Sequence, residues 1–186
     1  MFWVGGSSFS TMIERSTNYY QFELVFSHMV SYPERIDRAI LISVAQQLWD
    51  STDPETYFPF ITNGYKEVLG PNQVLMIDSV NDAQVSMLSS DRAGRTAAIP
   101  ILSTSSRIPY AMVMDDGPVH GSAMVYFDGH FPGVPEGNSP PPLEYHSLAH
   151  NSIAIVPEAS ELAFQFLSTG IITNTCDVIC DYESDW

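Results

Sequence analysis

The chain has very little positive charge. Only 7 of its 186 residues are Lys or Arg, against 22 Asp or Glu, and Lys66 is the only lysine, so the formal net charge is −15. A surface of that sign repels phosphate backbones and anionic lipid headgroups. We therefore expect no nucleic-acid partner and no polybasic attachment to a membrane.

Long apolar runs are also absent. No stretch approaches the roughly 20 residues that a helix needs to cross a bilayer, so no transmembrane segment is predicted. The N-terminus lacks the basic stretch and apolar core of a secretory signal. Hydrophobic content of 45% nevertheless indicates a globular chain, long enough for one domain. We expect a single domain over residues 1–186, and an incomplete one, because it opens in a buried strand.

Cysteine is scarce, and its two residues, Cys176 and Cys180, lie close to the C-terminus. Zinc needs about four ligands, and no second cysteine pair exists to supply them. A redox C-x-x-C motif has two intervening residues, whereas this pair has three. A local disulfide is favoured over a metal half-site, a redox pair or two free thiols, and it would suggest an oxidising compartment.

The pattern of apolar residues predicts an α/β fold with a mostly parallel sheet, because strand-like and helix-like segments alternate. Helices are expected within residues 17–62, where Ile36, Ile40, Val44 and Leu48 recur at helical spacing, as do Phe22, Val25, Phe26 and Met29. Two further helices are expected, over Ala83–Arg95 and from Pro157 to Gly170. Residues 103–119 and 128–142 are expected to be loops. The predicted strands are Met1–Val4, Gln73–Ile77, Ile99–Leu102 and Ser122–Phe127.

Two residues stand where such a sheet places ligands, at the carboxyl ends of its strands. Asp82 follows the second predicted strand, and His150 ends the Pro-rich loop after the last. This acid-then-histidine order is that of an α/β-hydrolase triad, in which the acid orients the histidine. Asp82 could equally cap the following helix, and His150 could be a surface histidine. His146 lies four residues earlier, but H-x-x-x-H without a third ligand is a weak metal motif.

The serine that a triad needs is missing from its usual motif. No G-x-S-x-G occurs, although such an elbow requires small residues on both sides of the serine. Ser7 and Ser8 follow Gly5-Gly6 but precede Phe9, so either is a poor candidate nucleophile.

Acidic and histidine side chains also cluster around the last predicted strand. They lack EF-hand spacing, so solvated turn residues are favoured over a calcium site, and we predict no metal and no cofactor. The members are Asp115, Asp116, His120, Asp128 and His130.

Taken in order, short segments along nearly the whole chain resemble the C-terminal portion of bacterial α/β-hydrolase-like proteins of the serine esterase or lipase type, which are secreted or envelope-associated. They are Val4-Gly5-Gly6 with Glu14-Arg15-Ser16, Gln47-Leu48-Trp49-Asp50 with Asp53-Pro54, Asn81-Asp82-Ala83-Gln84-Val85, Arg95-Thr96 with Ile99-Pro100-Ile101-Leu102, Gly121-Ser122-Ala123, His150, Phe166-Leu167 with Gly170, and Cys176-Asp177 to Cys180.

The resemblance implies that Met1–Val4 corresponds to the strand after the nucleophile strand and that the helices at about 17–62 are cap-like. It implies Asp82 as triad acid and His150 as triad base, with the oxyanion hole and the serine elbow upstream. Asn81-Asp82 replaces the commoner Gly-Asp.

Two functions follow as expectations. The first is the back half of a serine hydrolase acting on an ester or lipid, inactive alone because the nucleophile is absent. The alternative is a non-catalytic binding module with a hydrolase-like half-fold, which would self-associate or bind a partner through the Met1–Val4 edge.

Overall fold

A five-stranded, wholly parallel sheet forms the centre of the protein. The computed structural model describes residues 1–24 and 32–184. The strand order is β1-β2-β5-β3-β4, which leaves β1 and β4 at the edges. The strands are β1 (Phe2–Trp3), β2 (Leu75–Ser79), β3 (Ile101–Leu102), β4 (Met114–Asp115) and β5 (Ala123–Phe127). The predicted α/β class with a parallel sheet is confirmed.

Helices occupy the connection from β1 to β2, the connection from β2 to β3 and the segment after β5. In the described residues they are α1 (Phe9–Met12), α2 (Tyr19–Leu24), α3 (Arg35–Trp49), α4 (Pro54–Asn63), α5 (Met87–Thr96), α6 (Leu148–Ser152) and α7 (Pro157–Thr169), with short 3₁₀ turns at Ile13–Arg15, Leu143–Tyr145 and Ile153–Ile155. The helices α1 to α4 stand between β1 and β2, where the sequence predicts a helical insertion. No helix in the described part of the chain is long and apolar enough to span a bilayer.

Alternation along the strands divides the core into two layers. On one face, Leu75 and Ile77 pack with Leu162 and Phe166 of α7 in an apolar cluster. On the other, Met76 packs with residues of α4 and α5. The sheet is thus covered on both faces, as parallel sheets usually are.

Local signals account for the ends of α7. Pro157 occupies its first turn, and Gly170 ends it in the left-handed region at φ 71°. Proline suits the first turn because its missing N–H would be unpaired there, and glycine enters the left-handed region without a Cβ clash. The predicted helix from Pro157 to Gly170 is confirmed.

The helix α3 forms where the sequence predicts it, but the apolar stripe that indicated it faces solvent. Ile36, Ile40, Val44 and Leu48 are 58 to 80% exposed, and Ile42 is the apolar residue that α3 buries. The repeat from Phe22 to Met29 lies largely outside the described residues. Helical spacing therefore predicted the secondary structure without identifying the packed face.

Three predicted boundaries are wrong. The strand β2 extends to Ser79 because the polar Asp78 and Ser79 are buried at the sheet end. The helix α5 begins at Met87 rather than Ala83. The predicted loop 103–119 contains the edge strand β4, whose Met114 and Asp115 pair with β3 although Gly117 and Pro118 follow one residue later.

Candidate functional site

Asp82 and His150 meet at the carboxyl end of the sheet. Asp82 follows β2, and His150 lies on α6, beyond β5. Because β2 and β5 are neighbouring parallel strands, their ends coincide. The His150 Nδ1 atom lies 2.7 Å from Oδ2 of Asp82, so residues 68 positions apart form one pair.

The second oxygen of Asp82 fixes the turn that carries it. Its Oδ1 accepts hydrogen bonds from the backbone N–H groups of Gln84, at 2.7 Å, and Val85, at 3.0 Å. The actual N-cap of α5 is Ser86, whose Oγ accepts from Ser89 N. The expectation that Asp82 caps this helix is therefore wrong, although its carboxylate does bind backbone N–H groups in the preceding turn.

His150 lies within the one-turn helix α6 rather than in a loop. Its side chain is 23% exposed, so part of the ring is open to a reactant. When Nδ1 donates its proton to Asp82, Nε2 holds a lone pair and can accept a proton, as the base of a Ser-His-Asp triad does. The geometry can perform general base chemistry, and the catalytic role stays a prediction.

The other histidine of the H-x-x-x-H pattern has a different partner. The Nδ1 atom of His146 lies 2.8 Å from Oγ1 of Thr17, away from the carboxylate that binds His150. Within residues 1–24 and 32–184, no three His, Cys, Asp or Glu side chains are grouped as a metal ion would require.

Side chains in the acidic cluster around β5 bind their own turns. Asp115 Oδ1 accepts from Gly117 N at 2.8 Å, and Asp128 Oδ1 accepts from His130 N at 2.7 Å. Such bonds are typical of turn-forming aspartates.

Ser7 and Ser8 are both buried in the turn between β1 and α1. The Ser8 N–H donates to Oδ1 of Asp53 at 2.9 Å, and its Oγ lies 2.9 Å from Oγ1 of Thr11. The Ser7 carbonyl accepts the hydroxyl of Ser89. In the described part of the chain, neither serine hydroxyl is hydrogen-bonded to His150. A nucleophilic role for them stays a prediction that this geometry does not support.

A buried polar cluster beneath the Asp82 turn was missed by sequence reasoning. Asp78 faces α5, and its register partner on β5 is Tyr126. Tyr126 donates its hydroxyl to Oδ1 of Asp91 at 2.8 Å, and Asp91 forms a two-bonded ion pair with Arg107. The sequence feature that could have indicated this cluster is Asp78, a polar residue within an apolar strand.

The carboxyl of Asp78 resists ionisation. Burial raises its pKa well above the usual value, and the nearby charges of Asp82 and Asp91 raise it further, against the hydrogen bonds of Ser90 and Gly5. Its Oδ2 has no hydrogen-bond partner among the described residues. Burial therefore favours the neutral form of Asp78, close to the Asp82–His150 pair.

Two apolar clefts lie near the carboxyl end of the sheet. A cleft of about 420 Å³ borders the Asp82 turn through Gln84 and Val85. A cavity of about 560 Å³ adjoins α6 through Leu148, Asn151 and Ser152, of which Leu148 and Ser152 lie on the opposite side of that helix from His150, at about 100° per residue. The smaller cleft is the better candidate for a ligand of the Asp82–His150 pair. Its remaining walls are Phe9, Met12, Ile13, Ser16, Asn18, Phe22 and Trp49.

The predicted disulfide joins Cys176 to Cys180, with Cα atoms 5.2 Å apart. Its loop is tied to the end of β5, because the Cys180 carbonyl accepts from Asp128 N at 2.9 Å and from Ser106 Oγ at 2.6 Å. These hydrogen bonds anchor the C-terminal segment to the carboxyl end of the sheet, where the site lies.

No family model, no curated protein and no solved structure matches this chain. The fold class and the geometry of Asp82 and His150 stand on the structure itself. A relationship to α/β-hydrolases remains a proposal.

Proposed function

We propose that this chain supplies the acid and the base of a serine-type ester or lipid hydrolase, with Asp82 orienting His150 and His150 activating a serine hydroxyl. The observation that carries the proposal is the 2.7 Å contact between His150 Nδ1 and Asp82 Oδ2. The carboxylate is anchored by two backbone N–H groups and the imidazole is partly exposed, as an acid and a base of this kind require.

The apolar cleft beside the Asp82 turn supports an ester with a hydrocarbon part. Its walls are mainly aromatic and aliphatic, and a space of about 420 Å³ can receive a short acyl chain. Val85 contributes both to this wall and, through its N–H, to the anchoring of Asp82. The same turn therefore lines the cleft and holds the acid in its orientation.

The nucleophile, under this proposal, comes from a strand beside β1. Among the described residues β1 pairs with β2 alone, so its other edge is open to a parallel neighbour. A turn at the carboxyl end of such a neighbour would lie at the same end of the sheet as Asp82 and His150. The resemblance to the hydrolase-like family implies the same location for the serine elbow.

Ester hydrolysis by two forms of the protein tests the proposal. We expect no hydrolysis of p-nitrophenyl butyrate by the 186-residue chain, since a lost nucleophile and oxyanion hole remove most of the rate enhancement. The chain extended by the residues that the preceding in-frame DNA encodes is expected to turn over the ester. In that form, Asp82→Asn should lower kcat by about 10⁴-fold and His150→Gln by at least as much.

His120→Gln is the matched control, because His120 is exposed and is not hydrogen-bonded to the pair. Its kcat should equal that of the parent. Two results would contradict the proposal: turnover that survives His150→Gln, or an extended form without any serine-dependent activity. Turnover by the 186-residue chain that Ser8→Ala abolishes would instead place the nucleophile at Ser8.

A binding module is the second candidate, and the open edge of β1 favours it. An edge strand with unpaired N–H and C=O groups is a template for another chain. The alternative predicts a concentration-dependent rise in mass by sedimentation, lost when Trp3→Pro removes a backbone donor from the edge. A constant monomer mass over the whole concentration range would exclude self-association.

A further inference from the structure

Thr17 connects the two turns that carry the Asp82–His150 pair. Its N–H and its hydroxyl both donate to the carbonyl of Ala83, at 2.8 and 3.0 Å. Its Oγ1 lies 2.8 Å from Nδ1 of His146. Ala83 is the neighbour of Asp82, and His146 lies four residues before His150. Thr17 therefore forms a second link between these two segments, in addition to the direct bond between Asp82 and His150.

The hydroxyl of Thr17 lies between two hydrogen-bonding groups, the Ala83 carbonyl and Nδ1 of His146. A threonine hydroxyl can donate one hydrogen bond and accept others, and the tautomer of His146 sets which partner donates in the contact with the imidazole. In either arrangement hydrogen bonds run from His146 through Thr17 to Ala83, within a site where Thr17 is 2% exposed.

We propose that Thr17 and His146 are positioning residues for the Asp82–His150 pair. The direct bond between the pair fixes the distance between one carboxylate oxygen and one ring nitrogen. The second link holds the backbone of the Asp82 turn against the segment that leads into α6. With two links in parallel, the imidazole of His150 cannot swing about the single contact with Asp82.

The functional role of Thr17 and His146 rests on the proposed hydrolase chemistry. Whether they hold the ring of His150 in place can be measured without substrate. The observable is the rate at which the Nδ1 proton of His150 exchanges with water, measured by NMR on ¹⁵N-histidine-labelled protein. A firmly held Nδ1–H exchanges slowly, and a ring that swings away from Asp82 exposes that proton.

Thr17→Val removes the hydroxyl with little change in shape, and His146→Leu removes the ring nitrogen that contacts it. We expect each to accelerate exchange of the His150 Nδ1 proton about tenfold, as expected when one buried hydrogen bond is lost. His146→Asn restores a side-chain amide that can donate to or accept from the Thr17 hydroxyl at a similar distance from the backbone, so it is expected to keep the exchange slow. Exchange of the Ile77 amide, in the core of β2, is measured on the same samples as a reference.

Thr52→Val and His120→Leu are the matched controls. Both residues are exposed, and neither is bonded to the Asp82 turn or to α6. They should leave the His150 proton unchanged. The inference is overturned if Thr17→Val leaves that proton unaffected, or if it accelerates the Ile77 amide by the same factor, since general destabilisation would then explain the result. If the extended form showed no ester hydrolysis, the proposed function would fail. The exchange rate of the His150 Nδ1 proton would still test the positioning role of Thr17 and His146.

Discussion

Asp78 and Asp82 lie four residues apart and are equally buried, but their carboxyl groups have different partners. Each is 2% exposed at the carboxyl end of β2. Asp82 has two backbone N–H donors and an imidazole around its two oxygens. Asp78 has an oxygen without a hydrogen-bond partner among the described residues, and burial raises its pKa, as do two carboxyl groups nearby.

The two carboxyl groups differ in their partners at the same burial. Low dielectric disfavours an unpaired anion, whereas directed N–H groups stabilise one. Asp82 is therefore held so that it can orient a base, whereas burial favours the neutral form of Asp78. Three variants test this contrast, beginning with the largest expected effect.

Asp82→Ala should lower the free energy of unfolding by about 3 kcal/mol, because two backbone N–H groups and a ring nitrogen lose their acceptor. The measurement is urea unfolding at pH 7. Asp116→Ala, on an exposed turn residue, is the control and should stay within about 0.5 kcal/mol of the parent. A loss no larger than that of the control would mean that the anchoring of Asp82 contributes nothing to stability.

Asp53 extends the comparison to a third buried carboxylate. Burial by itself raises its pKa, but N–H groups of Glu55, Ser8 and Phe9 and the Gln46 amide outweigh burial and lower the pKa. Asp53→Asn should reduce the free energy of unfolding at pH 7 by about 2 kcal/mol, since an amide nitrogen would then face N–H donors.

The sign of the pH dependence follows from that lowered pKa. The stabilisation by Asp53 is complete above the unfolded value of 3.8 and is lost as the pH falls through the lower folded pKa. The difference between the parent and Asp53→Asn in urea unfolding should therefore shrink from pH 7 to pH 3. An undiminished difference at pH 3 would show that the charge of Asp53 is irrelevant.

Asp78→Asn should act in the opposite direction. Above 3.8 the unfolded chain releases the proton of Asp78 while the folded chain keeps it, so rising pH favours unfolding until the raised folded pKa is reached. The neutral amide removes this penalty and should raise the free energy of unfolding at pH 8 by about 1 kcal/mol, with less gain at pH 4. Glu67→Gln, on an exposed residue, is the control, and its free energy of unfolding should stay within about 0.5 kcal/mol of the parent.

The sequence was sufficient to predict the parallel α/β class and the residues of the Asp82–His150 pair. Strand ends are local features, and parallel strands align their ends, so two distant polar residues could be assigned to one edge. That Asp82 also binds the Gln84 and Val85 N–H groups could not be predicted, because a turn and a helix cap use the same residue type. The catalytic role of the pair stays a prediction.

Tertiary packing determined what the sequence left open. The stripe from Ile36 to Leu48 has the spacing of a packed helix face, yet it is exposed, because α3 packs on α1 through other residues. Thr17 and His146 carry no motif, and their link exists only because three distant segments converge. The strand β4 is two residues long, too short to leave a pattern.

The parallel sheet has a consequence for how the chain folds. Its strands pair across long intervals: Phe2 with Met76, and Leu75 with Ala123. Each pairing must close a loop of many residues before any contact compensates for the lost chain entropy, and folds dominated by such contacts form slowly. During synthesis, β1 emerges long before β2, with which it pairs, so its apolar residues are exposed until β2 has been made.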